Sequence, residues 1–374
     1  MNTKCFLNLL SFILFIHAAV AQTAPSLNCS NDILLQQQGV WKDSRYTGKG
    51  IAAADIQKQK KVLDQITKMI KTAYHPVAVE ANAHIALNPP YNNYRPVNYY
   101  DFSIIPLEYY CEGNQIKKVH ETSSYFQIFI NQFGKEIYDT AQGDRLLQEG
   151  FNVIYDMPIA KDGYFYFKEK EVTLPFDGKG KTSEWLITYD GQLPFSFVTK
   201  KEFLEKRKKA LYVQEEQAAN GFRDVLKGLD IEKGFKEKEY VNNPAQLQRY
   251  MKMEYENIKI RYNKLLQENK SRFKPAFDKI DKQLAMSPLE LNQFAIVKDD
   301  PYDHLSYLFV DSNDPFRKIL IKPNPTYFKK LPRSSPQFIW ISVSASSTNV
   351  ITAKFMSDIV KALDFKTMIN LLGK

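Results

Sequence analysis

Between residues 200 and 286 apolar side chains recur seven apart, and no other feature of the chain restricts its fold as tightly. Leu204, Leu211, Ala218 and Val225 mark the seam, with Phe222 and Leu229 at the fourth-residue offsets. A repeat near 3.5 residues makes a helix whose apolar edge must lie against another helix. Thr199 and Glu202 are spaced as a capping box at its start. Gly221 and Gly228 weaken its second half, and residues 230–243 read as a charged connection. Asn243-Pro244 then supplies an N-cap and a first-turn proline. Leu247, Met251, Tyr255, Ile258, Tyr262 and Leu265 form a second stripe. The spacing predicts two helices, each about 25 residues long and so about 35–40 Å, folded back as a hairpin. A third, shorter helix is expected over Pro275–Met286.

The segments on either side carry strand signals. Ala52–Ala73 is first a helix, with Ile56, Val62, Leu63, Ile66, Met69 and Ile70 on one face. His75-Pro76 stops it. Strands are expected at Phe102–Cys111, Ser124–Phe133, Phe151–Met157, Gly163–Lys170, Trp185–Tyr189 and Leu193–Val198. Pro106 lacks an amide proton and argues for an edge position. In GYFYFKEK, Phe165 and Phe167 share one face, and Tyr164, Tyr166 and Lys168 the other. After the hairpin, Leu291–Val297, Leu305–Val310, Ile319–Ile321 and Phe338–Val343 read as short strands, and Thr352–Leu372 as a closing helix. Such an order predicts an α+β fold: an N-terminal helix on an antiparallel sheet, a long helical hairpin, and a strand-rich C-terminal segment closed by a helix. The segments run 22–199, 200–286 and 287–374. The last either completes the first sheet or builds a small second one.

Residues 1–21 have the form of a secretory signal: Lys4, the apolar run Cys5–Ile16, then Ala19-Val20-Ala21 before Gln22. The apolar stretch is shorter than the ~20 residues a spanning helix needs, so export without a transmembrane anchor is expected, to the periplasm or the medium. Cleavage removes Cys5 and leaves Cys29 and Cys111 to pair as one disulfide in an oxidising compartment.

Charge is uneven. Residues 22–199 carry a net −2, residues 200–286 a net +7 and residues 287–374 a net +3. The basic excess therefore sits on the hairpin, with Lys200, Lys201, Lys206, Arg207, Lys208 and Lys209 crowded at its start. That cluster suits loose attraction to an anionic surface. Ten of the 51 basic residues are Arg, the residue type that reads bases and phosphates bidentately, so nucleic acid is not an expected partner.

Motifs that name a reaction are missing from the sequence. His120-Glu121 opens an H-E-x-x-H pattern that Ser124 ends, and the four histidines outside the signal are scattered. There is no nucleophile elbow, P-loop or dinucleotide fingerprint. No metal or cofactor is expected. Two sets of residues remain as candidates. The loop NPPYNNYRPVNYY sets Tyr91, Tyr94 and Tyr99 beside Asn92, Asn93 and Arg95, offering ring faces to apolar C–H surface and amides to hydroxyls. The stretch Asp299-Asp300-Pro301-Tyr302-Asp303-His304, followed by Asp311 and Asp314, is the acid/base alternative, with Asp300, Asp303 and His304 as its centre. Asp-Pro is also ordinary turn chemistry. The sequence thus leads us to expect a non-catalytic exported binding or cell-envelope accessory protein, its ligand a carbohydrate, a peptide or a protein partner. The alternatives are an envelope-polymer hydrolase built on the aspartates, and an assembly protein that associates through the hairpin.

Overall fold

The computed structural model describes residues 29–87, 97–133, 146, 150–303 and 305–374. The fold is α+β and divides into two compact units. One takes in residues up to Gln132, then Ala160–Tyr189 and Leu331–Lys374; the other takes Phe133–Ile159 and Asp190–Lys330.

The first unit is a ten-stranded sheet with helices on one face. Its strands are β1 (Val40–Thr47), β2 (Val79–Leu87), β3 (Tyr100–Glu112), β4 (Gln115–Lys118), β5 (Tyr125–Ile130), β7 (Ile159–Lys161), β8 (Tyr164–Tyr166), β9 (Lys170–Leu174), β10 (Gly178–Ile187) and β15 (Ile339–Ser346). The order is β1-β2-β3-β5-β15-β10-β8-β7, with β4 on β3 and β9 on β10. The pairing is mixed rather than purely antiparallel, because β1 runs parallel to β2. The long crossover that a parallel pair requires is helix α2 (Ala53–Ala73), which follows the one-turn helix α1 (Asn31–Leu34). Helices α2, α7 (Val350–Lys361) and α8 (Phe365–Ile369) pack on the apolar side. There Leu63, Ile66 and Ile70 of α2 meet Ala83, Phe102, Ile104, Phe126, Ile128, Ile341 and Phe355. Each such aliphatic side chain contributes roughly 1.5–3 kcal/mol on burial. Cys29 and Cys111 are disulfide-bonded, Cα to Cα 5.6 Å, tying the chain ahead of α1 to the end of β3.

The second unit joins a small antiparallel sheet to the hairpin. Its strands are β6 (Asn152–Ile154), β11 (Phe195–Phe197), β12 (Ile296–Asp299), β13 (Tyr307–Phe309) and β14 (Lys318–Pro323). The hairpin is α3 (Lys200–Glu239) against α4 (Pro244–Tyr250), a π turn (Met251–Tyr255) and α5 (Glu256–Leu284); the one-turn α6 (Pro288–Leu291) leads into β12. Phe203, Leu204 and Leu211 of α3 and Phe273, Ala276 and Ile280 of α5 bury against Val153, Val297, Tyr307 and Leu320 of this sheet.

Several local expectations are corrected. Strands β1 and β2 were not foreseen: β1 is almost wholly solvent-facing and carries no apolar alternation. Pro106 does not put β3 at an edge. Residues Tyr100–Ile104 pair with β5, and Pro106 lies beyond that pairing, opposite Ala81 of β2. Helix α3 runs through the charged stretch to Glu239 and so has 40 residues, about 60 Å long. Gly221, Gly228 and Gly234 are tolerated there as solvent-side positions. Pro275 starts no third helix; it lies inside α5. The closing helix breaks after Lys361, and Asp364 caps a new start by accepting the Thr367 amide. The 287–374 segment divides between the sheets: β12, β13 and β14 build the small one, and β15 is a central strand of the large one.

Candidate functional site

The sheet face opposite α2 is not apolar. Side chains alternate along a strand and directly opposed residues share a face, so register alone defines its rows. Ser44 of β1 lies opposite His84 of β2, His84 opposite Ser103 of β3, and Ser103 opposite Gln127 of β5. Gln127 in turn lies opposite Ser342 of β15, and Ser342 opposite Glu184 of β10. Six consecutive strands thus contribute a polar residue to one line. The line is graded in exposure: Ser44 is exposed, His84 and Gln127 are half-buried, and Ser103, Ser342 and Glu184 are buried.

Four members of the line, Ser44, His84, Glu184 and Gln127, have a defined bonding state. Ser44 Oγ and His84 Nδ1 form a hydrogen bond of 2.8 Å. Glu184 accepts the Trp340 indole N–H at 3.1 Å, and Phe167 stacks on Trp340 with ring centroids 4.9 Å apart. One row further along β15, Thr182 donates to Ser344 at 3.1 Å. Gln127 differs from its neighbours: its Oε1 is buried and meets no hydrogen-bond partner among the described residues. A buried orphan acceptor costs about 1–3 kcal/mol. Toward β1 the same face carries Glu80. Burial pushes its carboxyl up, but the ammonium groups of Lys118, at 2.7 Å, and Lys42, at 3.0 Å, outweigh burial and hold it below the usual range.

The Tyr/Asn stretch immediately precedes β3 in sequence. Tyr91, Asn92, Asn93, Tyr94 and Arg95 lie outside the described residues. Tyr99 is described and buried, and its hydroxyl donates to Asp101 at 2.5 Å. Asp101 occupies the row next to Ser103, opposite Phe129. Of the loop candidates, then, the structure places Tyr99 beside the polar line.

The aspartate stretch lies in the second unit and is occupied by cations and turns. Lys279 donates to Asp300 at 2.6 Å, Lys318 to Asp299 at 2.7 Å and Lys298 to Asp314 at 2.8 Å. Arg317 pairs with Asp156. The Lys279 contact and the Tyr302 amide hold Asp300 below the ordinary carboxylate range, opposite to what a general acid needs. Asp303 accepts the Leu305 amide at 2.9 Å and the Ser306 hydroxyl, closing a turn. His304 lies outside the described residues. Among the described residues no group of three His, Cys, Asp or Glu could hold a metal ion.

The basic cluster at the start of α3 is similarly committed. Arg207 is buried, donating to the Leu305 carbonyl at 2.7 Å and lying over the Tyr307 ring. Lys208 pairs with Asp281, Lys206 with Glu202, and Lys200 reaches Gln293. Among the described residues no helix is long and apolar enough to cross a membrane.

Sequence reasoning missed the polar line, although a signal was present. Polar residues sit at alternate positions in otherwise apolar strands: Asn82 and His84 in ANAHIAL, Asp101 and Ser103 in DFSII, Gln127 in YFQIFI, and Ser342, Ser344 and Ser346 in WISVSAS. Fold and sites together define an α+β protein with a long two-helix hairpin. Compared with known proteins, it matches no protein-family model, no curated protein and no solved structure.

Proposed function

We propose that the chain is an exported, non-catalytic binding protein that takes its ligand on the polar sheet face, from Ser44 and His84 across to Gln127. The observation that carries this reading is the buried, unpartnered Gln127 Oε1 within an in-register line of hydroxyl, imidazole and amide groups. Such a line sets hydroxyl, imidazole and amide side chains about 4.8 Å apart, one per strand, with Ser44, His84 and Gln127 as its solvent-reaching members. That repeat suits a polyhydroxylated ligand such as an envelope glycan, with Tyr99 at one side. The Cys29–Cys111 bridge is consistent with an oxidising, extracytoplasmic location. Cleavage after Ala21 is checked by the mass and N-terminal sequence of the secreted product, which should begin at Gln22.

Binding is tested by retention on insoluble cell-envelope polysaccharide. Gln127→Leu and His84→Leu should each weaken retention about fivefold, the worth of one hydrogen bond. Tyr91→Ala/Tyr94→Ala should do likewise. Retention of Gln127→Leu and His84→Leu at the wild-type level would remove the sheet face from consideration.

A further inference from the structure

Strand β1 ends the large sheet, and no strand among the described residues pairs with its outer edge. Eight residues long, it pairs on one side with β2 and stands at the end of the strand order. Residues Lys42 to Thr47 are all solvent-exposed, as is Val40. An exposed edge of this length presents a row of unpaired amide and carbonyl groups. Proteins commonly blunt such an edge with proline, a bulge or a very short strand. Here VWKDSRYT contains no proline and keeps an unbroken one-to-one register with β2 from Val40 to Thr47.

The sequence of this edge is complementary to itself. Two copies related by a two-fold axis must meet antiparallel, each residue facing its symmetry mate. With Ser44 on the axis, Asp43 of each copy falls opposite Arg45 of the other, giving two opposite-charge pairs. Lys42 falls opposite Tyr46, and Trp41 opposite Thr47, placing an ammonium and an indole beside a β-forming partner. A register centred on Asp43 would instead oppose two aspartates. One centred on Lys42 or on Arg45 would oppose two like cations. Charge therefore selects the register centred on Ser44 among these four. Within each chain Asp43 is already held by Lys71 at 2.5 Å and Arg45 by Asp64 at 3.0 Å. Both side chains are thus oriented, and both pairs remain open to solvent.

We infer that the free edge of β1 docks a second copy of this chain, two-fold and antiparallel with Ser44 on the axis, to form one continuous sheet. The polar line of each copy then runs on through Ser44 into the other. The inference stands on the edge geometry and does not depend on what the polar face binds.

Sedimentation equilibrium on the full mature chain tests it. The wild type should be dimeric at about 10–100 µM, a range ordinary for a modest interface. Asp43→Arg alone, or Arg45→Asp alone, places like charges opposite each other twice and should weaken the dimer about tenfold or more. An equimolar mixture of the two variants restores both opposite-charge pairs and should dimerise as the wild type does. That rescue also shows that both variants are folded. Thr47→Pro, with its far-ultraviolet circular dichroism compared to wild type, removes an outward-facing edge amide by a different route and should give monomer, because the neighbouring Gly48 amide is the one that bonds Leu87 of β2. A monomeric wild type over that range overturns the proposal. So does a dimer indifferent to all three substitutions, which would point to association through the hairpin, and so does a mixture that fails to rescue.

Discussion

Arg207 shows how a charged residue becomes part of a core. It lies in the heptad-spaced start of α3 among five other cations, and sequence groups it with a surface cluster. In the structure it is 1 % exposed, hydrogen-bonded to a backbone carbonyl and set over Tyr307. Arg207→Ala should therefore destabilise the second unit by about 2–4 kcal/mol through the cavity left and the freed carbonyl. Arg207→Lys should recover little of this, because an ammonium lacks the planar donor fork. Urea denaturation measures both. Gly39 is a second such position. A Cβ there would meet the Val79 carbonyl oxygen at 2.2 Å and Pro76 Cβ at 2.8 Å. Gly39→Ala should lower the urea midpoint by more than an ordinary surface substitution, since backbone must move. Glu80 gives the pH dependence. Its folded pKa lies below the usual value, so its contribution to stability is complete above the ordinary carboxylate range and is lost as pH falls through the folded value. Glu80→Gln should cost about 1 kcal/mol near neutral pH, and the difference from wild type should close in acid.

At the scale of elements, the hairpin was legible because helix periodicity is a local property. Leu204, Leu211 and Leu229 are buried as their spacing implies, and Thr199 caps α3 by accepting the Glu202 amide. The reciprocal half of the box is replaced by ion pairs of Glu202 with Lys322 and Lys206. What spacing could not foresee is the π turn Met251–Tyr255. Residues five apart on an α-helix point in well-separated directions, yet Tyr250 and Tyr255 are both buried against the hairpin seam with Leu229. One extra residue in the turn brings them to the same side. The glycines of α3 are dispensable on this view: a Cβ at Gly221, Gly228 or Gly234 meets nothing within 4 Å. Gly→Ala at each should stabilise the helix by about 0.5–1 kcal/mol, visible as slower amide exchange in the hairpin. Strand β1 was missed for the converse reason. A strand without an apolar face has no period to detect, and a neighbouring strand must hold it.

For the molecule as a whole, the disulfide couples distant sequence within one unit. It closes a separation of 82 residues across α2, β1, β2 and β3. Reduction should therefore lower the stability of the first unit by up to about 4 kcal/mol on the loop-entropy account, seen as a reduced urea midpoint in dithiothreitol while the hairpin's helical signal persists. The sequence by itself determined the α+β class, the hairpin and the cap residues, because each follows from composition or from periods within about ten residues; it offered Cys29 and Cys111 as candidates to pair, and the structure bridges them. Only the tertiary structure decided that Ser44, His84, Ser103, Gln127, Ser342 and Glu184 stand in one line. It also took the structure to show that Asp299, Asp300 and Asp314 are held by lysines and that β1 stands at the edge of the described sheet. Those are facts of register between strands as far apart in sequence as β1 and β15, and register is fixed by which faces bury against which helices, information no local window contains.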